Sequence, residues 1–217
     1  MARKASTTDN DTLDLSELKI KELRVRITYA EPLLGTASAN KELHSEFIAS
    51  KAPDAPSREE EVAAIGVEAA EEKAMTVFPR TDDGVPFTWD YQWKGFFKES
   101  CSMLRRAPGF RSKKLAAFKK VIDGLIFILP RKVPLELPKG GMIGELQRPL
   151  RASTAQGERI ALAHSEMVPA GTTQEFSIRL LDASLEPLVR EWMAYGQLHG
   201  TGQWRNASFG RFDTEWL

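Results

Sequence analysis

A glycine-rich segment, Gly200-Thr201-Gly202, leads through Trp204, Arg205 and Asn206. Glycines so placed let backbone N–H groups approach a phosphate, while an indole and a guanidinium beside them offer flat stacking surfaces. The same glycines also suit a helix end and a turn with no ligand present, and the two readings stand side by side. A dinucleotide fingerprint is excluded by order, because this segment follows an expected helix and precedes an expected strand, the reverse of the arrangement that cradles a pyrophosphate.

A second set of residues carries positive charge. Lys94, Arg105, Arg106, Arg111, Lys113, Lys114, Lys119 and Lys120 are continued by Arg148 and Arg151 in an expected Gly-rich and Ser/Thr-containing loop, and by Arg205 and Arg211 near the C-terminus. Lysines and arginines spread in this way make phosphate contacts that ignore sequence and weaken steeply with salt. Arg179 and Arg190 read as ordinary surface charge.

Catalytic chemistry has little support. His44, His164 and His199 are scattered, and none has a second histidine or a cysteine two or four residues on. Cys101 falls on an apolar stripe, where a thiol is core and not nucleophile. No G-x-S-x-G elbow, H-E-x-x-H helix or Walker lysine occurs. No cofactor and no enzymatic activity are therefore expected.

The chain has 217 residues, 42% of them apolar, enough for one substantial core and short for two. Its single cysteine rules out an intramolecular disulfide and fits a reducing compartment. The polar start and the lack of an apolar run of roughly 20 residues point to a cytoplasmic chain free of membrane. Thirty basic residues balance thirty acidic ones, which taken alone argues against a nucleic-acid partner. The balance hides a segregation: nine acids face four bases between Lys41 and Lys73, whereas fifteen bases face five acids between Tyr91 and Arg159. Such runs either create a local field or form mutually compensating solvated faces.

The elements that must position these residues follow from periodicity. Leu23, Val25, Ile27 and Tyr29 alternate with polar residues as a half-buried strand ending at Pro32. Residues 1–18 read as a flexible tail and 19–217 as a single domain, with an acidic helical insertion over about 40–74. Trp93, Phe96, Phe97, Cys101 and Leu104 form the buried stripe of a helix over 90–106. A short basic helix is expected over 112–121, a buried strand over 124–129 and a short strand over 132–137. A hairpin is expected to join 160–168 to 174–181 around Pro169-Ala170-Gly171. A helix then starts at Ser184 and stops at Gly196, followed by a last strand around Arg211 and Phe212. The expected fold class is α+β: a ferredoxin-like β-α-β-β-α-β core.

Three stretches resemble the RAMP superfamily, which contains the repeating backbone subunits of CRISPR effector complexes. The first strand with Glu31-Pro32-Leu33-Leu34-Gly35 is similar to that family's strand-and-turn. Gly84-Val85-Pro86-Phe87 through Lys94-Gly95-Phe96-Phe97 to Leu104-Arg105-Arg106 looks like its helix entry. Glu166 to Phe176, the helix ending in Tyr195-Gly196, and Gly200 to Phe212 look like its closing hairpin, helix and glycine loop. The resemblance implies a ferredoxin-like, RRM-related fold and contact with single-stranded DNA or RNA through helix-entry lysines and the glycine loop, often as a head-to-tail filament. The chain also looks like proteins carried by bacteriophages and prophages. It departs from CRISPR subunits in having no clear counterpart of the acidic residue that cleaves target RNA in some of them, and it lacks the RRM aromatic consensus.

The leading expectation is a non-catalytic single-strand-binding protein, with Lys94, Arg105, Arg106, Lys113, Lys114, Lys119, Lys120, Arg148, Arg151, Arg205 and Arg211 available to phosphates and Trp204 as a stacking platform. Two alternatives come from other classes. One is a protein-interaction module that imitates a CRISPR backbone subunit to inhibit a defence complex; the other is a metal-dependent ribonuclease.

Overall fold

The computed structural model describes residues 19–38, 75–154 and 157–217, with the side chains of 150–161 excepted. The expected N-terminal tail, and the acidic insertion with His44, lie outside the described residues.

The alternation in the first strand is realised: in β1 (Lys21–Tyr29), Val25, Ile27 and Tyr29 are fully buried and Leu23 nearly so. β1 pairs antiparallel with β10 (Thr173–Leu180) on one side and β11 (Phe212–Trp216) on the other, and β10 pairs antiparallel with β6 (Ile126–Leu129). The resulting order, β11-β1-β10-β6, is that of a ferredoxin-like sheet. Its two crossovers run through α1 (Asp90–Leu104) and α3 (Glu186–His199). Both helices turn their apolar stripes to one sheet face. Trp93 of α1 packs against Phe176 and Phe212, with ring centroids 4.5 and 5.5 Å away, and Phe97 packs against Trp192 of α3 at 5.5 Å. The Cys101 thiol is fully buried in this layer, and desolvation raises its pKa.

The opposite sheet face is ionic. Arg26 pairs with Glu175 and Glu215, and Arg179 and Ser177 both donate to Glu22. Those donors hold the Glu22 carboxyl below its ordinary pKa. Where RRM proteins stack bases, β1 and β10 of this chain carry mutually neutralised charge.

Several expectations are corrected by tertiary pairing. Residues 160–168 and 174–181 do not form a hairpin. β9 (Gly157–Val168) pairs with β8 (Gly144–Thr154), β2 (Leu33–Leu34) and, in parallel, β4 (Thr76–Val77), and so belongs to a second sheet. At Pro169–Thr172 the chain passes from that sheet to the first, because Gly171 N–H donates to the Tyr29 carbonyl and Tyr29 N–H to the Thr172 carbonyl. β3 (Ala37–Ser38) closes the second sheet beside β4, and β5 (Phe87–Trp89) pairs separately with β7 (Lys132–Pro134). The expected loop carrying Arg148 and Arg151 is thus strand β8. α2 (Phe118–Leu125) consumes the start of the expected buried strand, and in β6 only Ile126 and Ile128 are buried while Phe127 and Leu129 face outward. None of the described helices is long and apolar enough to cross a membrane.

The expected basic helix over 112–121 is also broken. Arg111–Lys114 forms a 3-10 turn, and α2 begins only after Ala117, which adopts a left-handed φ of 45°. The turn is held by a buried polar junction. The Ser112 N–H donates to the Glu191 carboxylate at 3.0 Å and its hydroxyl to the same oxygen at 2.5 Å, and the Trp192 indole N–H donates to the Ser112 hydroxyl at 2.9 Å. Ser112 and Trp192 are both fully buried. Ser112→Ala strands that indole donor, so a loss of about 1–3 kcal/mol is expected in denaturant unfolding.

Gly196 does not end α3, which continues to His199. It is a packing position: a Cβ there would lie 2.2 Å from Phe212 Cζ, and Phe212 is fully buried. Gly196→Ala should therefore lower stability by about 1–3 kcal/mol despite alanine's better helix propensity. Thermal unfolding checks the sign.

Candidate nucleic-acid interface

The glycine loop is laced to the start of the second sheet. Gly200 N–H caps α3 by donating to the Gly196 carbonyl at 3.0 Å. Thr201 N–H donates to the Gly210 carbonyl, and Gly210 N–H to the Pro32 carbonyl. At Gly210, φ is +70° and a Cβ would lie 2.0 Å from the Thr201 carbonyl oxygen, so only glycine permits this crossing. The Gln203 amide donates to the Gly35 carbonyl at 2.5 Å and to the Thr76 hydroxyl at 3.0 Å. With the loop tied on both sides, Trp204 adopts a left-handed φ of 55°, unusual for a bulky residue, and leads into a 3-10 turn over Arg205–Ala207.

This geometry builds a stack of flat groups. Phe209 lies against Trp204 with centroids 5.1 Å apart and planes 13° from parallel, and the Arg148 guanidinium of β8 lies 4.3 Å from the same indole centroid. Trp204 remains 42% exposed, so the stack presents surface to solvent. Arg148 Nε and Nη1 are buried with no hydrogen-bond partner among the described residues, and desolvation lowers the pKa of the guanidinium. A buried guanidinium left without acceptors is costly, and a phosphate or base edge supplies acceptors of the right kind.

The other cations at this end are engaged. Arg205 forms an ion pair with Glu99 at 2.5 Å, and the other oxygen of Glu99 meets His199 Nε2 at 3.0 Å. Arg211 pairs with Glu31 at 2.8 Å. Beside this network, α1 and the loop enclose a cavity of about 290 Å3. Its apolar wall includes Leu33, Phe78, Phe87, Trp93 and Phe96, and its polar lining includes Thr36, Gln92, Glu99 and Arg205. Gln92 sets the entry of α1, accepting from the Trp89 N–H at 2.8 Å and donating to the Thr36 hydroxyl at 2.6 Å.

The remaining basic residues lie elsewhere. Lys94 donates to the Asp123 carbonyl and covers the Phe127 ring at 4.8 Å, on the side of α1 that faces α2. Arg105 lies 5.1 Å over Phe118, at the other end of the same pair of antiparallel helices. Arg106, Lys113, Lys114, Lys119 and Lys120 are exposed around that end, with no carboxylate partner among the described residues. Arg151 lies in β8 three residues beyond Arg148, and its side chain is outside the described residues. The fold therefore gathers Arg148, Trp204 and Arg205 at the glycine loop and sets the α1–α2 cations apart from them. Sequence reasoning missed Phe209, Gln203 and Glu99. Phe209 could have been noticed as a second aromatic in the glycine segment, but Glu99 carries no local signal because its partners are 100 or more residues away.

His164 bonds Glu145 across β8 and β9 at 2.8 Å. Among the described residues no group of three or more His, Cys, Asp or Glu side chains is placed to hold a metal ion.

No protein-family model matches the chain, and no curated protein matches it in sequence. In fold it is similar to a chain of the cryo-EM structure of the type III-B Cmr-β complex bound to cognate target RNA, with a TM-score of 0.53 and 12% identity. That likeness covers 94% of this chain and 62% of that chain, so this chain spans under two thirds of its length. A chain of a type IV-B CRISPR complex aligns over 91% of this chain and 90% of its own length, at a TM-score of 0.44 and 12% identity. The ferredoxin-like architecture is thus shared with a chain of a CRISPR complex.

Proposed function

We propose that this chain is a non-catalytic protein that captures single-stranded DNA or RNA across its glycine-loop face. The observation that carries the reading is the Arg148–Trp204–Phe209 stack, an exposed aromatic surface beside a guanidinium whose Nε and Nη1 lack acceptors among the described residues. Stacking surfaces next to cations suit unpaired strands, whose base faces are open, better than a duplex. The fold shared with a chain of the RNA-bound Cmr-β complex supports the same direction. The exposed lysines around α2 extend the phosphate-binding surface, and successive copies line up head to tail along the strand in the host cytoplasm.

Fluorescence anisotropy with labelled single-stranded RNA, single-stranded DNA and duplex DNA across a salt series tests this reading. Single strands should bind more tightly than duplex, with log affinity falling linearly against log salt. Trp204→Ala should cost about 1–3 kcal/mol of binding, a loss of about 5- to 150-fold, with unfolding behaviour retained. Replacing Lys113 and Lys114 together by Glu should weaken binding and flatten the salt slope without changing the melting temperature. Absence of strand binding at low salt overturns the proposal.

A further inference from the structure

The cavity beside α1 has features that the folded chain does not use for itself. Gly95 lies within α1 and lines the cavity, yet a Cβ there would meet no heavy atom within 4 Å. Its φ is not among the positive ones. Neither backbone geometry nor close packing requires glycine, and glycine is a poor helix former. Gly95 is itself exposed, at the mouth of the cavity, where a side chain would narrow the entrance. Two residues earlier, Trp93 lines the same cavity at 2% exposure, and its indole N–H has no hydrogen-bond partner among the described residues. Indole nitrogen is a donor only, so this unmet group calls for an acceptor. At the polar lining the Glu99 carboxylate, held by Arg205 and His199, is a fixed acceptor with lone pairs to spare.

A volume of about 290 Å3 sits at the small end of ligand sites, which start near ~300 Å3. Aromatic walls from Phe87, Trp93 and Phe96 suit a flat ring. We propose that this cavity is a nucleobase pocket that accepts one unstacked base, with Trp93 donating to a ring nitrogen or carbonyl and Glu99 accepting from an exocyclic amine. Guanine and adenine present both an amine and ring acceptors and fill more of the space. Uracil has no amine and is the poorest fit. The inference deepens the single-strand reading, with the base supplied by the bound strand, while a free nucleotide offers the same chemistry.

The test compares wild type with Gly95→Leu, which places a side chain in open space on a helix that favours leucine over glycine. Gly95→Ala serves as a smaller plug that every helix accepts. Labelled oligoadenylate, oligouridylate and an abasic strand of equal length are titrated at fixed salt. Wild type should prefer oligoadenylate over the other two, and Gly95→Leu should lose about tenfold on oligoadenylate with the abasic strand unaffected. Gly95→Ala should fall between them. If both variants bind all three strands as wild type does, the pocket is refuted and the strand-binding surface stands. Equal loss on the abasic strand also refutes it, because the substitution then acts on the backbone surface. Calorimetry with free adenosine and guanosine monophosphate separates the sources. Monophosphate binding that Gly95→Leu abolishes, in a protein that binds no strand, supports the pocket and overturns the single-strand reading.

Discussion

The position of α1 is set by Trp93, wedged between Phe96, Phe176 and Phe212 at centroid distances of 4.5 to 5.9 Å. This aromatic packing fixes the rotation of the helix on the sheet, and rotation decides what its other faces reach. With Trp93 and Phe97 turned to the core, Lys94 and Lys98 meet Asp123 beside α2, and Glu99 meets Arg205 and His199 beside the glycine loop. The cavity, the loop network and the separation of the two basic regions all follow from that orientation. A second constraint is the buried Gln174, which donates to Thr88 and the Val133 carbonyl and accepts from the Tyr29 hydroxyl. It ties the central sheet to β5 and β7 immediately before α1 begins. Burial there pushes the Tyr29 hydroxyl pKa well above its ordinary value.

The elements whose burial pattern is local were legible in the sequence. The alternation of Leu23 to Tyr29 and the stripe from Trp93 to Leu104 each declare a buried face within a few residues. Failures occur where a distant partner decides. Pro169-Ala170-Gly171 reads as a hairpin turn because strand-like residues flank it, yet hydrogen bonds to Tyr29 route the two strands into different sheets. Gly196 reads as a stop because glycine commonly follows a helix end, and only the Phe212 ring reveals it as a contact. The run from Gly124 to Leu129 is apolar enough for a buried strand, but α2 takes its beginning and half of β6 faces outward.

The candidate site divides in the same way. Trp204 and Arg205 stood out because a glycine-rich segment announces them. Arg148 was visible only as one cation among many, and its distinction comes from its place over the Trp204 ring. Arg205, which reads as a free guanidinium, spends its charge on Glu99. What matters at the loop is therefore less the number of positive charges than which one lacks acceptors among the described residues and lies beside an exposed aromatic group.

Photocrosslinking locates the strand without relying on a substitution. Single-stranded RNA carrying a photoreactive base is irradiated with the protein at low salt, and the crosslinked peptides are identified by mass spectrometry. The account predicts crosslinks concentrated in the segment from Thr201 to Gly210, with Trp204 and Phe209 as principal acceptors. Crosslinks confined to the outer sheet face around Arg26 and Arg179, with the glycine segment unmodified, would contradict it.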